Sequence, residues 1–262
     1  MKTLVYQYWN GVRPPYTYAS EEAFRAYAAQ IGADYYMGDG RVSFPCFHKR
    51  YFGALLPLFD KSFRDYDYVL YVDMDVIPVS GLTASVFEGA RGDLMLVEEA
   101  EQPMLREEMK GRINGVNDRK WARVIKRFWG MEVAADVEGR PKVLNSGVVV
   151  YSQAGMKRLR KVLPSVLIYQ LVMKLARMPR FYCLDQNYLN AFLMSPKVDF
   201  APLGPDWNSQ VTQWVDQKGT VHLNDSRTGE TKFVHLQHGP KKNAMTVEEV
   251  RNVAHNGYDF SL

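Results

Sequence analysis

The chain has 262 residues, 47 % hydrophobic and 24 % charged, which suits one α/β domain of an ordinary globule. A net charge of +4 and a pI near 8.9 favour an anionic ligand such as a nucleotide, but fall short of the charge of a dedicated nucleic-acid binder. Two cysteines, Cys46 and Cys183, make neither a spaced metal motif nor a disulfide framework, which excludes the disulfide-stapled class and points to a reducing, cytoplasmic setting. Aromatic residues make up 13 %, with 16 Tyr, and fit a long, partly polar cleft. The N-terminus enters a strand directly, without a signal peptide, and no apolar run is long enough to span a bilayer.

In chain order, Thr3 to Tyr8 reads as the first strand, followed by the polar loop Asn10 to Pro15. Ser20 then caps a helix with an acidic first turn, Glu21-Glu22, running to Ile31. Gly32 ends it, Ala33 to Tyr36 gives a second strand, and a second helix is expected over His48 to Phe59. This alternation argues for a mainly parallel sheet flanked by helices.

The run Tyr66 to Pro78 is the most informative. An apolar stretch ends in Asp73-Met74-Asp75, and Pro78 stops the strand. Apolar on both faces, it reads as a buried parallel strand, and alternation puts the Asp73 and Asp75 carboxylates on one side. Its C-terminal end is where α/β sheets bind ligands, and two carboxylates there repel unless a cation or shared proton relieves them. Asp65 and Asp67 have the same spacing at the opposite end of the strand and read as solvated turn residues.

Beyond it, Asp93 to Val97 is a strand, and Glu98 to Pro141, charged and weakly periodic, is an excursion over the sheet on the acceptor side. Val143 to Tyr151 is strongly β but carries Asn145-Ser146-Gly147, where a glycine suggests close backbone approach. Met156 to Met178 is helical, broken or kinked at Pro164. A helix follows from Asp185 to Phe192, then the loop Gly204 to Asn208 and a last strand, Lys232 to Leu236. Residues 231–262 read as a segment that closes over the site.

Four motifs in order, Asp73-Met74-Asp75, Asn145-Ser146-Gly147-Val148, Asp185-Gln186, and His235 with Lys241, span most of the chain. They resemble a GT-A (Rossmann-like) glycosyltransferase, most closely glycosyltransferase family 8 and its neighbours; Trp207-Asn208 is similar to a Trp-Asn pair of such enzymes. The resemblance implies a single catalytic domain over 1–262 that moves a sugar from a nucleotide diphosphate sugar, foremost a UDP-sugar, to an acceptor with retention. It implies Mn2+ or Mg2+ held by Asp73, Asp75 and His235, hard ligands that suit a cation bound to phosphate oxygens. Asp73 also touches the donor. Asp185, Gln186 and Asn145 stand at the reacting sugar; Tyr6, Gly147, and the cations Lys49, Arg50, Lys241 and Lys242 stand around the donor. The family's usual His-x-x-Gly-x-x-Lys departs here, with His238 at the glycine position, so either His235 or His238 could be the ligand. The apolar strand favours His235. The acceptor, whether a glycan, a lipid-linked glycan or a modified nucleic acid, is left open.

Two other readings compete. A haloacid-dehalogenase-type phosphatase would use Asp73 as nucleophile and Asp75 as acid/base, but needs a later acidic pair at a strand end, and no Asp-Asp occurs. A non-enzymatic module would dock the basic helix 157–178 on nucleic acid or a membrane.

Overall fold

The computed structural model describes residues 1–40, 42–237 and 243–255, with the backbone alone for 253–255. The apolar runs make the central sheet. β1 (Thr3–Tyr8), β2 (Asp34–Gly38) and β3 (Tyr68–Val72) come first; β4 (Val76–Pro78) lies outside it; β5 (Leu94–Glu98), β6 (Leu144–Ser152) and β7 (Phe200–Leu203) complete it. The spatial order is β2-β1-β3-β6-β5-β7. β1 is parallel to β2 and β3, and β5 to β7, while β6 runs against both its neighbours. The expected mainly parallel sheet therefore forms, with one reversed strand inserted.

Burial on both faces explains why these strands read as continuous apolar runs. Along β1 and β3, Leu4, Tyr6, Tyr8, Val69 and Tyr71 face one core layer, whereas Val5, Leu70 and Val72 face the other with Phe24 and Tyr27. Strand alternation alone produces that division.

A second sheet, β4-β10-β8-β9, is built from β8 (Ser209–Val215), β9 (Val221–Asp225) and β10 (Phe233–Gln237) against β4. Only β10 was legible as a strand. The Tyr66 to Pro78 run is not one strand but two in different sheets, joined by a turn at Asp73-Met74-Asp75. Pro78 ends β4 opposite Phe233, at the sheet edge where a missing N–H costs no ladder bond.

The helices also depart from expectation in places. α1 (Pro15–Gln30) starts at a proline, whose fixed φ suits the first turn, so Ser20 lies inside the helix and caps nothing. It is buried, accepting from Gln7 Nε2 (2.9 Å) and donating to the Val76 carbonyl (2.6 Å). Residues 48–59 form two 3-10 turns and the short α2 (Leu56–Phe59), because His48 is left-handed (φ 54°) and Pro57 can only open a helix. The excursion holds α3 (Gln102–Glu108) and α4 (Gly115–Trp129). They are tied by a buried Arg106–Asp118 pair at 3.0 Å, to which Tyr182 adds a hydrogen bond. Pro164 splits the basic helix as anticipated, into α5 (Gln153–Val162) and α6 (Val166–Leu175). α7 (Asp185–Phe192) follows, and α8 (Val247–His255) packs on α1. Among the described residues, no helix is long and apolar enough to cross a membrane.

Candidate active site

The carboxylate turn is pinned between the two sheets by its backbone. Asp73 N donates to the Gly147 carbonyl on β6 (2.8 Å), Val76 N to the Asp73 carbonyl (3.1 Å), and Leu236 N on β10 to the Asp75 carbonyl (2.8 Å). Beneath it the buried Gln7 and Ser20 and the half-buried Tyr35 form a polar chain, with Tyr35 Oη donating to Gln7 Oε1 at 2.8 Å. The side chains need no strand pleat to converge. Tyr71 Oη donates to Asp73 Oδ1 at 2.5 Å, fixing that carboxylate.

His235 comes from β10, in the other sheet. Its Nε2 lies 3.2 Å from Asp75 Oδ1, and one ligand atom each from Asp73, Asp75 and His235 falls within 4.8 Å of the others. Nδ1 is 3.0 Å from the buried Asn208 Oδ1; as an acceptor, that oxygen assigns the imidazole proton to Nδ1 and leaves the Nε2 lone pair toward the carboxylates. The expected close approach at Gly147 occurs, and the approaching group is His235. A Cβ on Gly147 would stand 2.5 Å from His235 Cε1 and 2.8 Å from Asn145 Oδ1. Asn145, itself buried, accepts from Gly147 N (2.7 Å) and donates to Glu99, so it holds the bulge that makes this space. Replacing Asn208 by Ala should free the imidazole at an unchanged circular dichroism spectrum and, where the cluster holds Mn2+, would weaken that binding about 10- to 100-fold by calorimetry.

The turn opens into a cavity of about 600 Å³ lined by Tyr8, Trp9, Tyr16, Arg50, Tyr51, Tyr71 and Asp185 as well as Asp73, Met74 and Asp75. Asp185 opens α7, where the helix N-terminus favours a carboxylate, and accepts from Gln186 N at 2.9 Å. Burial and then the neighbouring Asp73 carboxylate nonetheless hold Asp185 well above the usual carboxylate range. Burial, followed by Asp75 and Asp73, likewise pushes the Tyr16 hydroxyl up. Three carboxylates thus meet at one cavity whose lining includes a single cation, Arg50, among the described residues.

Other expected site residues fall elsewhere. Tyr6 is fully buried in an aromatic cluster with Tyr36, Phe63 and Tyr71 and does not line the cavity; Tyr8, on the same face at the strand's end, does. Lys49 sits exposed on the turn beside Arg50, and neither it nor Gln186 is part of the lining. Lys241, Lys242 and His238 lie outside the described residues. The sequence reading missed Tyr71, Asn208, Gln7 and Ser20. Of these, only the Trp207-Asn208 pair carried a clue.

The donor set of two carboxylates and an imidazole suits a hard divalent cation, and the mutual repulsion of the carboxylates is relieved by one. Neither a protein-family model nor a curated protein matches the sequence. Solved structures do match it. One is a glycosyltransferase involved in glycosylation of the major capsid of PBCV-1, with 11 % identity over 95 % of this chain and 98 % of that one, at a TM-score of 0.54. Mouse xyloside xylosyltransferase 1 in its apo form is similar at 12 % identity, over 92 % of this chain and 99 % of that one, with a TM-score of 0.52. The galactosyltransferase LgtC, in complex with donor and acceptor sugar analogs, is similar at 13 % identity, over 98 % of this chain and 97 % of that one, with a TM-score of 0.51. The chain has the mixed α/β GT-A fold of these glycosyltransferase structures.

Proposed function

We propose that this chain is a metal-dependent glycosyltransferase that moves a sugar from a nucleotide diphosphate sugar, foremost a UDP-sugar, to an acceptor hydroxyl. The observation that carries the reading is the convergence of Asp73, Asp75 and His235, the two carboxylates lining an aromatic-walled cavity, in a fold shared with glycosyltransferase structures. Those three residues would hold Mn2+ or Mg2+, which as a Lewis acid neutralises charge on a departing diphosphate. Tyr8, Trp9 and Tyr16 in the lining would supply aromatic surface for a nucleoside base. Asp73, fixed by Tyr71, would meet the donor as well as the cation. Asp185 faces the same cavity and would orient sugar hydroxyls, with Gln186 beside it, while Asn145 and Gly147 shape the wall behind His235. Arg50, through its planar guanidinium, and Lys241 or Lys242 from the C-terminal segment, as a point charge, would meet the phosphates. Retention follows the resemblance to family 8.

The phosphatase reading asks for a second acidic pair, whereas the third member of the cluster here is a histidine from another sheet. A thermal-shift screen of nucleotides and nucleotide sugars tests the proposal. The donor should raise the midpoint only with Mn2+ present, since a ligand that binds the native state alone stabilises it by mass action. Folded protein that shows no metal-dependent shift with any nucleotide sugar would refute it.

A further inference from the structure

α6 is apolar on two sides. Val166, Tyr169, Val172 and Met173 are buried, yet Ile168, Leu171 and Leu175 are 54 %, 41 % and 78 % exposed. At about 100° per residue these three share one outward stripe, where a surface helix normally carries polar groups. Phe47, itself 41 % exposed, extends the apolar edge. Gln170 holds it there, accepting from Phe47 N (2.6 Å) and donating to the Phe47 carbonyl (3.1 Å).

Cations rim this stripe. A pocket of about 320 Å³ lies between Phe47 and α6, with His48, Lys174 and Arg180 in its lining. Lys174 Nζ stands 5.6 Å from the Phe47 ring centroid, while Arg180 and Arg50 both lie over the Tyr51 ring, at 4.6 and 4.7 Å. Burial, and then Arg180, Arg50 and Lys174, hold the His48 imidazole below its usual range, as expected where positive charges gather. Among the described residues, the ion pairs found involve other basic groups, and none includes Lys49, Arg50, Lys174 or Arg180. Gathered like charges repel, and an anion relieves them. A stripe of large aliphatic side chains on a helix, bordered by unpaired cations and a pocket of phosphate-accommodating size, has the chemistry of a surface that sits in the interface of an anionic membrane.

We propose that this edge docks on an anionic lipid bilayer, with Ile168, Leu171 and Leu175 buried at the headgroup–acyl boundary and a lipid phosphate held between Lys174 and Arg180. Arg50 and Tyr51 border both this cluster and the 600 Å³ cavity, so docking brings the cavity mouth to the membrane. On the transferase reading, the acceptor is then a lipid-linked hydroxyl.

Flotation with vesicles tests the docking without donor or metal, so its outcome is independent of the transfer chemistry. The chain should float with vesicles of equal parts phosphatidylcholine and phosphatidylglycerol and not with phosphatidylcholine alone. Lys174→Ala and Arg180→Ala should each lower partitioning about fivefold. The pair Leu171→Ser with Leu175→Ser should abolish it, with the thermal midpoint checked in every variant because all four side chains are exposed. Absence of flotation with the anionic vesicles, or flotation unchanged in both sets of variants, overturns the proposal. So does an Arg180-dependent thermal shift with inorganic phosphate in protein that binds no vesicles, which would assign the pocket to a soluble phosphate.

Discussion

Asp75→Ala and His235→Ala should each lower metal-dependent donor hydrolysis about 10³-fold, the equivalent of roughly 4 kcal/mol of transition-state charge stabilisation. The expectation is sharp because the turn is held by main-chain bonds that neither substitution removes. Leu236 N still donates to the Asp75 carbonyl, and Asp73 N to the Gly147 carbonyl. The fold should therefore survive, and losing one of two facing carboxylates relieves repulsion in the metal-free protein. The thermal midpoint without metal should stay level or rise in Asp75→Ala, while the stabilisation given by Mn2+ disappears. Asp67→Ala is the matched control. Its carboxylate has the same spacing from Asp65 but accepts from Lys2 N (2.7 Å) at the opposite end of β3, so release of the nucleotide diphosphate should be unaffected. Release can be followed chromatographically at saturating donor across a manganese titration. Full activity in Asp75→Ala or His235→Ala at trace metal would remove the metal assignment.

The phosphatase alternative makes a different forecast for the same variants. A nucleophilic Asp73 would carry the chemistry, and His235 would be dispensable. In the structure His235 is buried, approached by Asp75 on one nitrogen and by Asn208 on the other, with a glycine cleared beneath it. An imidazole whose Nε2 lone pair faces a carboxylate is costly to keep unless a cation lies between the two.

What could be read from the chain was whatever depends on local pattern. Buried strands announce themselves as apolar runs, so β1, β3, β5, β6 and β10 were legible, with the carboxylates just past the end of β3, the Asn-Ser-Gly bulge at the start of β6 and His235 inside β10. What depends on long-range pairing was not. β9 alternates between exposed and half-buried residues and β8 is polar in four of its seven positions, so neither has the continuous apolar signature, and the second sheet stayed hidden. The same blind spot turned two strands into one at Asp73, because a turn between sheets looks like a strand exit until the second sheet is known. Charge misled over 98–141, where α4 buries Asp118 beside Trp121 and Ile125. An ionic residue on the inner face blurs the helical period unless its partner, Arg106 on α3, is seen. Tyr6 lies buried on the same face of β1 as Tyr8, two residues before the cavity lining begins.

Gly147→Ala concentrates these relationships in one methyl group. The added carbon would lie 2.5 Å from His235 Cε1, 2.9 Å from its Nδ1 and 2.8 Å from Asn145 Oδ1, so at least one of the two side chains must move. Neither is free to do so. His235 is buried and tied through Nδ1 to Asn208, and Asn145 is tied to Glu99 and to the backbone of Gly147 itself. Overpacking of this kind costs about 1–3 kcal/mol, so the thermal midpoint should fall by roughly 2–12 °C for a chain of this size. If the histidine is what yields, Mn2+ affinity falls at least as far as in Asn208→Ala. If Asn145 yields, the bulge loosens while Mn2+ binding persists. Calorimetry on the purified variant separates the two, and a stable variant with unaltered Mn2+ affinity would show that the glycine is not needed to seat His235.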